Sequence, residues 1–177
     1  PSPDSPVNEP ATVTGKPAND AGEPLTGAEP VEDSDASGLE GVIPTISIKR
    51  YSCPAGSDCS SGPPSACKDD NLSGLAGDAA MYCYVIENTS PTLQLCEVDM
   101  TDPAIDYSKS LGCMGPGEKK YGSFSNGVTF PQPGSPISET AEVTGKPATD
   151  GSVIPSASPV SASDPSGLQG TTPPPPP

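Results

Sequence analysis

Residues 80–88 read AMYCYVIEN and residues 93–100 read LQLCEVDM. Both runs are short and rich in β-branched or aromatic side chains, and the Thr89-Ser90-Pro91-Thr92 between them is turn-like, which predicts two strands joined as a hairpin. Upstream, residues 45–51 (TISIKRY) alternate apolar and polar side chains and predict a third strand. Residues 120–124 and 127–130 supply two shorter candidates, and 139–145 (ETAEVTG) with its earlier copy at 9–15 complete the set. No window sustains a helical period, and prolines interrupt most long stretches. Short strands separated by Gly, Pro and Asp turns predict an all-β chain and favour a sandwich over a barrel.

Composition limits the core to one domain. Of 177 residues only 32% are hydrophobic, with 26 Pro, 19 Gly, two Phe and no Trp. The apolar residues gather between Ile43 and Phe130, a length that buries a modest core and gains much from covalent staples. Six cysteines supply them, at 53, 59, 67, 83, 96 and 113, with none in either proline-rich flank. An even number confined to one segment points to three disulfides and an oxidising compartment, and so to secretion. Zinc fits poorly, because the chain has no His and no CxxC pair. Six cysteines allow 15 pairings. A Cys83–Cys96 bridge is one of them, since the two would face each other across the predicted hairpin. Cys53, Cys59 and Cys67 lie in a loop whose shape depends on its own bridges or on bridges to the sheet.

The clearest organisational feature is an internal repeat. Residues 11–18 (ATVTGKPA) recur at 141–148 (AEVTGKPA), and residues 28–41 (AEPVEDSDASGLEG) recur at 157–170 (ASPVSASDPSGLQG). Segment 1–41 is thus a second copy of 131–170, while the cysteine-bearing middle occurs once. This divides the chain into a proline-rich half-repeat at 1–41, a disulfide-rich sandwich at 42–150 and an acidic Ser/Pro-rich linker at 151–177 ending in polyproline. Two readings of the half-repeat stand side by side: a cut in a tandem array, or a donor strand that finds its partners on a neighbour.

The order of TISIKRY, AMYCYVIENTSPTLQLCEVDMTDP, GCMGPGEK and AEVTGKPATDG resembles the DUF11-type repeat domain of large surface proteins. Its features here are the Asn88-Thr89 turn, Thr101-Asp102, the Pro116-Gly117-Glu118 turn and the A-x-V-T-G closing strand. The resemblance covers about 43–150 and implies an immunoglobulin-like β-sandwich used in tandem. The flanks are similar to hydroxyproline-rich glycoproteins of algal and plant walls. They carry Ser-Pro pairs at 2–3, 5–6, 135–136 and 158–159, and a closing run from Pro173 to Pro177. That likeness implies hydroxylation and O-linked sugars at Pro3, Pro6, Pro136, Pro159, Pro173, Pro174, Pro175, Pro176 and Pro177. It also implies a surface filament of the mastigoneme kind. The five closing prolines favour a polyproline II rod.

Chemistry is sparse by comparison. Without His there is no Ser-His-Asp or Cys-His arrangement, and paired cysteines offer no nucleophile, so no enzyme and no cofactor are expected. Two acidic groups, Glu32/Asp33/Asp35 and Asp99/Asp102/Asp106, are the candidates for calcium. The first keeps only Asp164 in its later copy and reads as solvated surface. N-x-[ST] sequons stand at Asn71 and Asn88, both expected in loops or turns. A net charge of −15 repels nucleic acid and anionic membranes. No run approaches the length of a membrane span. The expected partner is the chain itself, as a head-to-tail homopolymer or tandem repeats of one glycosylated extracellular filament or wall layer. The alternative is an adhesin or a carbohydrate- or protein-binding module on a surface stalk, with Tyr82, Tyr84, Tyr107 and Tyr121 as its candidate contacts.

Overall fold

Alternation is what builds the sheets. In strand β3 (Ile46–Pro54), Ile46, Ile48, Arg50 and Ser52 all turn to one side and all are buried. The computed structural model describes residues 7–19, 21–27, 29–39 and 43–174, with the backbone alone described for 7–11 and 33–39. The chain divides into two units, Pro1–Ile43 and Pro44–Pro177, and its described residues are all-β apart from a 3-10 turn at Pro103–Ile105. Pro3, Pro6 and Pro175 to Pro177, proposed sugar sites, lie outside the described residues.

The larger unit is a two-sheet sandwich. One sheet has three strands in the order β3, β5 (Ala80–Asn88), β8 (Lys119–Phe124). The other runs β4 (Asn71–Leu75), β11 (Val160–Thr171), β9 (Ile137–Thr149), β6 (Gln94–Asp102), β7 (Tyr107–Met114), with β10 (Ser152–Val153) paired to β9. The inner faces meet in one core, where Ile46, Ile48, Tyr84 and Ile86 pack with Leu95, Val98, Met100, Val143 and Leu168. A register shift in β6 falls between Leu95 and Val98, with Glu97 at φ 49°, so both apolar residues reach the core despite their odd spacing. The smaller unit is one antiparallel hairpin of β1 (Val7–Gly15) and β2 (Val31–Leu39).

β5 and β6 are not a hairpin. They lie in different sheets, joined by an arch over residues 89–93. Each carries one inward apolar face, and two such faces are buried by stacking the strands across the core rather than pairing them edge to edge. Asn88 fixes the arch: its Nδ2 donates to the carbonyls of Leu93 and Met114, and its Oδ1 accepts from the Ser90 amide. The Cys83–Cys96 pairing falls with the hairpin. The bridges are Cys53–Cys67, Cys59–Cys83 and Cys96–Cys113. The first two, with Met81 and Tyr51, form a second small core on the outer face of β5, which explains why that strand is buried on both sides.

Two further expectations need correction. Residues 127–130 form no strand; they meet residues 77–80 through one bridge, between Ala79 and Thr129, and through backbone bonds at Val128 and Phe130, both buried in the core. Segment 151–177 is not a linker through its length, because β11 is the second strand of the larger sheet, so the sandwich extends to Thr171. Its Ser, Asp and Gly content concealed a strand whose buried stretch is confined to Ser166, Gly167, Leu168 and Gly170. Pro173 and Pro174 follow it, exposed and outside any strand.

Candidate functional site

Strands β9 and β11 form a hairpin that closes the larger sheet. β9 pairs with β6 along one edge and β11 with β4 along the other. Arg50 of β3 locks this hairpin from the opposite sheet. Its side chain is wholly buried, and the guanidinium lies 3.7 Å from the centroid of the Tyr82 ring. Nε donates to Asp102 Oδ2 at 2.7 Å, and Nη2 donates to Glu139 Oε2 at 3.0 Å. Nη1 donates to the Ser166 carbonyl at 2.6 Å and, at 3.2 Å each, to the Glu139 carbonyl and Ser166 Oγ. The Arg50 amide donates to Asp164 Oδ2 at 2.8 Å, and Lys49 pairs with the same carboxylate at 3.3 Å. One residue therefore ties β3 to β6, β9 and β11.

Burial is the largest single influence on Arg50 and opposes its charge, but the Asp102 carboxylate together with Tyr82 and Tyr84 outweighs it, so the pKa stands above its ordinary value. Tyr84 donates to Asp102 Oδ2 at 2.8 Å, and burial followed by the neighbouring Asp102 charge pushes its phenol well upward. Burial raises Tyr82 as well. Asp102 Oδ1 is buried without a hydrogen-bond partner. A pair of this kind is costly to desolvate, and losing one member costs about 3–5 kcal/mol because the other is left charged and buried. The latch is thus selective: a closing hairpin must bring the right acceptors.

The half-repeat carries the same residue types at the matching positions of its sequence. β1 and β2 pair from Val7 opposite Leu39 to Gly15 opposite Val31. β9 and β11 pair from Ile137 opposite Leu168 to Gly145 opposite Val160. With the repeat offsets of 130 and 129 residues, these are the same register. The turns agree too: the Leu25 amide donates to the Pro17 carbonyl and the Ile154 amide to that of Pro147, each at 2.9 Å. Ala18 bridges Pro24 as Ala148 pairs with Val153. Glu9, Asp35 and Ser37 stand at the positions of Glu139, Asp164 and Ser166.

The remaining sequence candidates fall as follows. All six cysteines are in bridges; the sulfurs of Cys53, Cys67 and Cys83 cluster, but disulfide sulfur offers no thiolate to a metal. Asn71 is exposed at the start of β4, whereas Asn88 is fully buried with both amide atoms engaged, so the fold has no room for a glycan there. Pro136 and Pro159 are exposed. Asp102 faces Arg50 while Asp99 and Asp106 face outward, which separates that acidic group; Glu32 is exposed and the side chains of Asp33 and Asp35 are not described. Tyr82 and Tyr84 belong to the core, and Tyr107 and Tyr121 line a groove of about 250 Å³ with Asp58, Ser60 and Lys109. Sequence reasoning missed Arg50, although a lone arginine in phase with Ile46 and Ile48 was its signal.

No family model, curated protein or solved structure matches the chain.

Proposed function

We propose that this chain is a structural unit of an extracellular, glycosylated filament or wall layer, with units joined head to tail and no catalytic role. The observation that carries this reading is the second closing hairpin, held in the register of the first and forming, among the described residues, a unit of its own. A hairpin with the register of a sheet-closing hairpin offers its edges and one face to the strands of another unit. A contact made through it is heterologous and propagates unless rotation closes a ring. Three disulfides fit an oxidising compartment outside the cell. The described residues hold no helix long and apolar enough to cross a membrane. The exposed prolines of the flanks, with their likeness to hydroxyproline-rich wall proteins, support sugar attachment along stiff spacers.

Electron microscopy of the oxidised full chain over a concentration series tests this. Fibrils or layers with a regular axial repeat are expected. Discrete particles at every concentration would defeat the reading. The groove of Tyr107 and Tyr121 favours a second one, an adhesin or carbohydrate-binding module, in which aromatic faces stack on a sugar beside Lys109 and Asp58. Saturable binding to a glycan array by the full chain, lost in Tyr121→Ala, would support that alternative.

A further inference from the structure

Gly15 ends β1, and a Cβ built on it would meet nothing within 4 Å. Its counterpart Gly145 is hemmed in: a Cβ there would lie 3.2 Å from Val98 Cγ2 and 3.6 Å from both Ile46 Cδ1 and Leu95 Cβ. Glycine weakens a strand unless something must come close to it. Nothing does so at Gly15, and the sandwich does so at Gly145. Gly38, the counterpart of Gly167, and Gly41, that of Gly170, repeat positions where an added Cβ would strike the backbones of Ile137 and Pro131. Val13 tells the same story, being 72% exposed where Val143 is fully buried. The half-repeat keeps features that only a sandwich of this kind would use.

We infer that the β1–β2 hairpin closes the sandwich of a second copy of this unit, entering the slot that β9 and β11 occupy here. This rests on the head-to-tail reading and names its contact. Thr12, Val13 and Thr14 then pair with Thr101, Met100 and Asp99 of β6, as Glu142, Val143 and Thr144 do in the resident hairpin. Glu9 and Ser37 receive the Arg50 guanidinium, and Asp35 receives its backbone amide. This is strand addition in which backbone pairing supplies affinity and the arginine latch supplies specificity. The resident hairpin holds its slot through its covalent tether, so a second copy accepts β1–β2 wherever that slot is open.

The test opens the slot in the full chain. Gly145→Val obstructs the resident hairpin while leaving β1–β2 intact, and is expected to shift sedimentation toward larger species than the unmodified chain forms at the same concentration. Adding Gly15→Val is expected to abolish that shift. Register is read separately. In the Gly145→Val chain, Thr12→Cys with Thr101→Cys is expected to form an intermolecular disulfide, identified by peptide mapping even where the material aggregates. Thr101→Cys with Glu142→Cys in the otherwise unchanged chain closes within one molecule and calibrates the geometry. The inference is overturned if that control closes while positions 12 and 101 never join, or if Gly15→Val leaves association unaltered. Regular fibrils of the unmodified chain without the crosslink would sink this contact and spare the filament reading; the crosslink without fibrils would do the reverse.

Discussion

Val13 and Val143 are the same residue in the same register of the same hairpin, yet one is 72% exposed and the other fully buried. Everything local agrees between them: the strand pairing, the turn bond at Pro17 and Pro147, and the glycine two residues on. What differs is the company. β9 and β11 have β6 and β4 at their edges and β3 behind them; β1 and β2 are described as a unit of their own. Register and turn are therefore encoded within some forty residues, whereas burial is supplied by strands elsewhere. A hairpin of two strands is marginal in water, and most of its stability in the sandwich comes from tertiary contact.

The largest expected difference is at the latch. Arg50→Ala strands Asp102 without its counter-charge and should lower the stability of the larger unit by about 3–5 kcal/mol. Glu139→Ala should cost about 1.5–3 kcal/mol, the range for a hydrogen bond to a charged group. Glu9→Ala should change unfolding by less than about 0.5 kcal/mol, as an ordinary surface substitution does. Denaturant unfolding of the oxidised chain separates these by tyrosine fluorescence, because all five tyrosines lie in residues 44–177. Equal effects at Glu9 and Glu139 would mean that both hairpins are already seated alike.

A smaller contrast is expected in the core. Val143→Ala removes buried methyl groups and leaves a cavity, for a loss of about 2 kcal/mol. Val13→Ala should stay within about 0.5 kcal/mol. If concentration raises the cost of Val13→Ala alone, the half-repeat is becoming buried by association.

Much of this was legible in the residues, and what was not has physical causes. The all-β class followed from short alternating runs, and the repeat was visible by inspection. The partner of β5 was not, because an apolar strand followed by a five-residue connection fits a hairpin and an arch equally well; Asn88, hydrogen-bonding across the arch, decides it. The same ambiguity misplaced Cys83 and Cys96. β11 was hidden because its neighbours do the burying: Gly167 and Gly170 are covered by the close approach of residues 131–137, not by any hydrophobicity of their own. Arg50 was hidden by its charge, which the usual pattern assigns to the surface.

Alkaline pH should act on one region and not the other. Tyr82 and Tyr84 have folded-state pKa values raised above the ordinary 10.0, so the unfolded chain releases these protons first. Their contribution is intact below about pH 10 and is lost as pH climbs through the folded values. The denaturation midpoint of the larger unit should hold steady from pH 7 to 9 and fall beyond 10. Tyr84→Phe should flatten that fall while costing about 1.5–3 kcal/mol at neutral pH, through the lost bond to the Asp102 carboxylate. Residues 1–43 contain no tyrosine, so backbone signals confined to that hairpin should not follow the same curve. A midpoint independent of pH up to 11 would contradict the buried hydroxyls.

The least energetic difference concerns the sheet edges. In the larger unit the two ends of the long sheet differ. β7 has its carbonyls at Leu111 and Cys113 taken by Lys120 Nζ, and β4 begins with the exposed sequon residue Asn71. A glycan at Asn71 would screen β4 from further strand addition, leaving the hairpin of the half-repeat, which has no sequon, as the unscreened place to extend. Secreted from a eukaryotic host, the chain should carry sugar at Asn71 and none at Asn88, read by peptide mapping after enzymatic release in heavy-oxygen water. Asn71→Gln should move stability by less than about 0.5 kcal/mol, since the side chain is exposed. It should instead add lateral association to the end-to-end kind, visible as thickened or sheet-like assemblies. A glycan found on Asn88 would require the arch between β5 and β6 to open, and with it the strand order on which the closing hairpin depends.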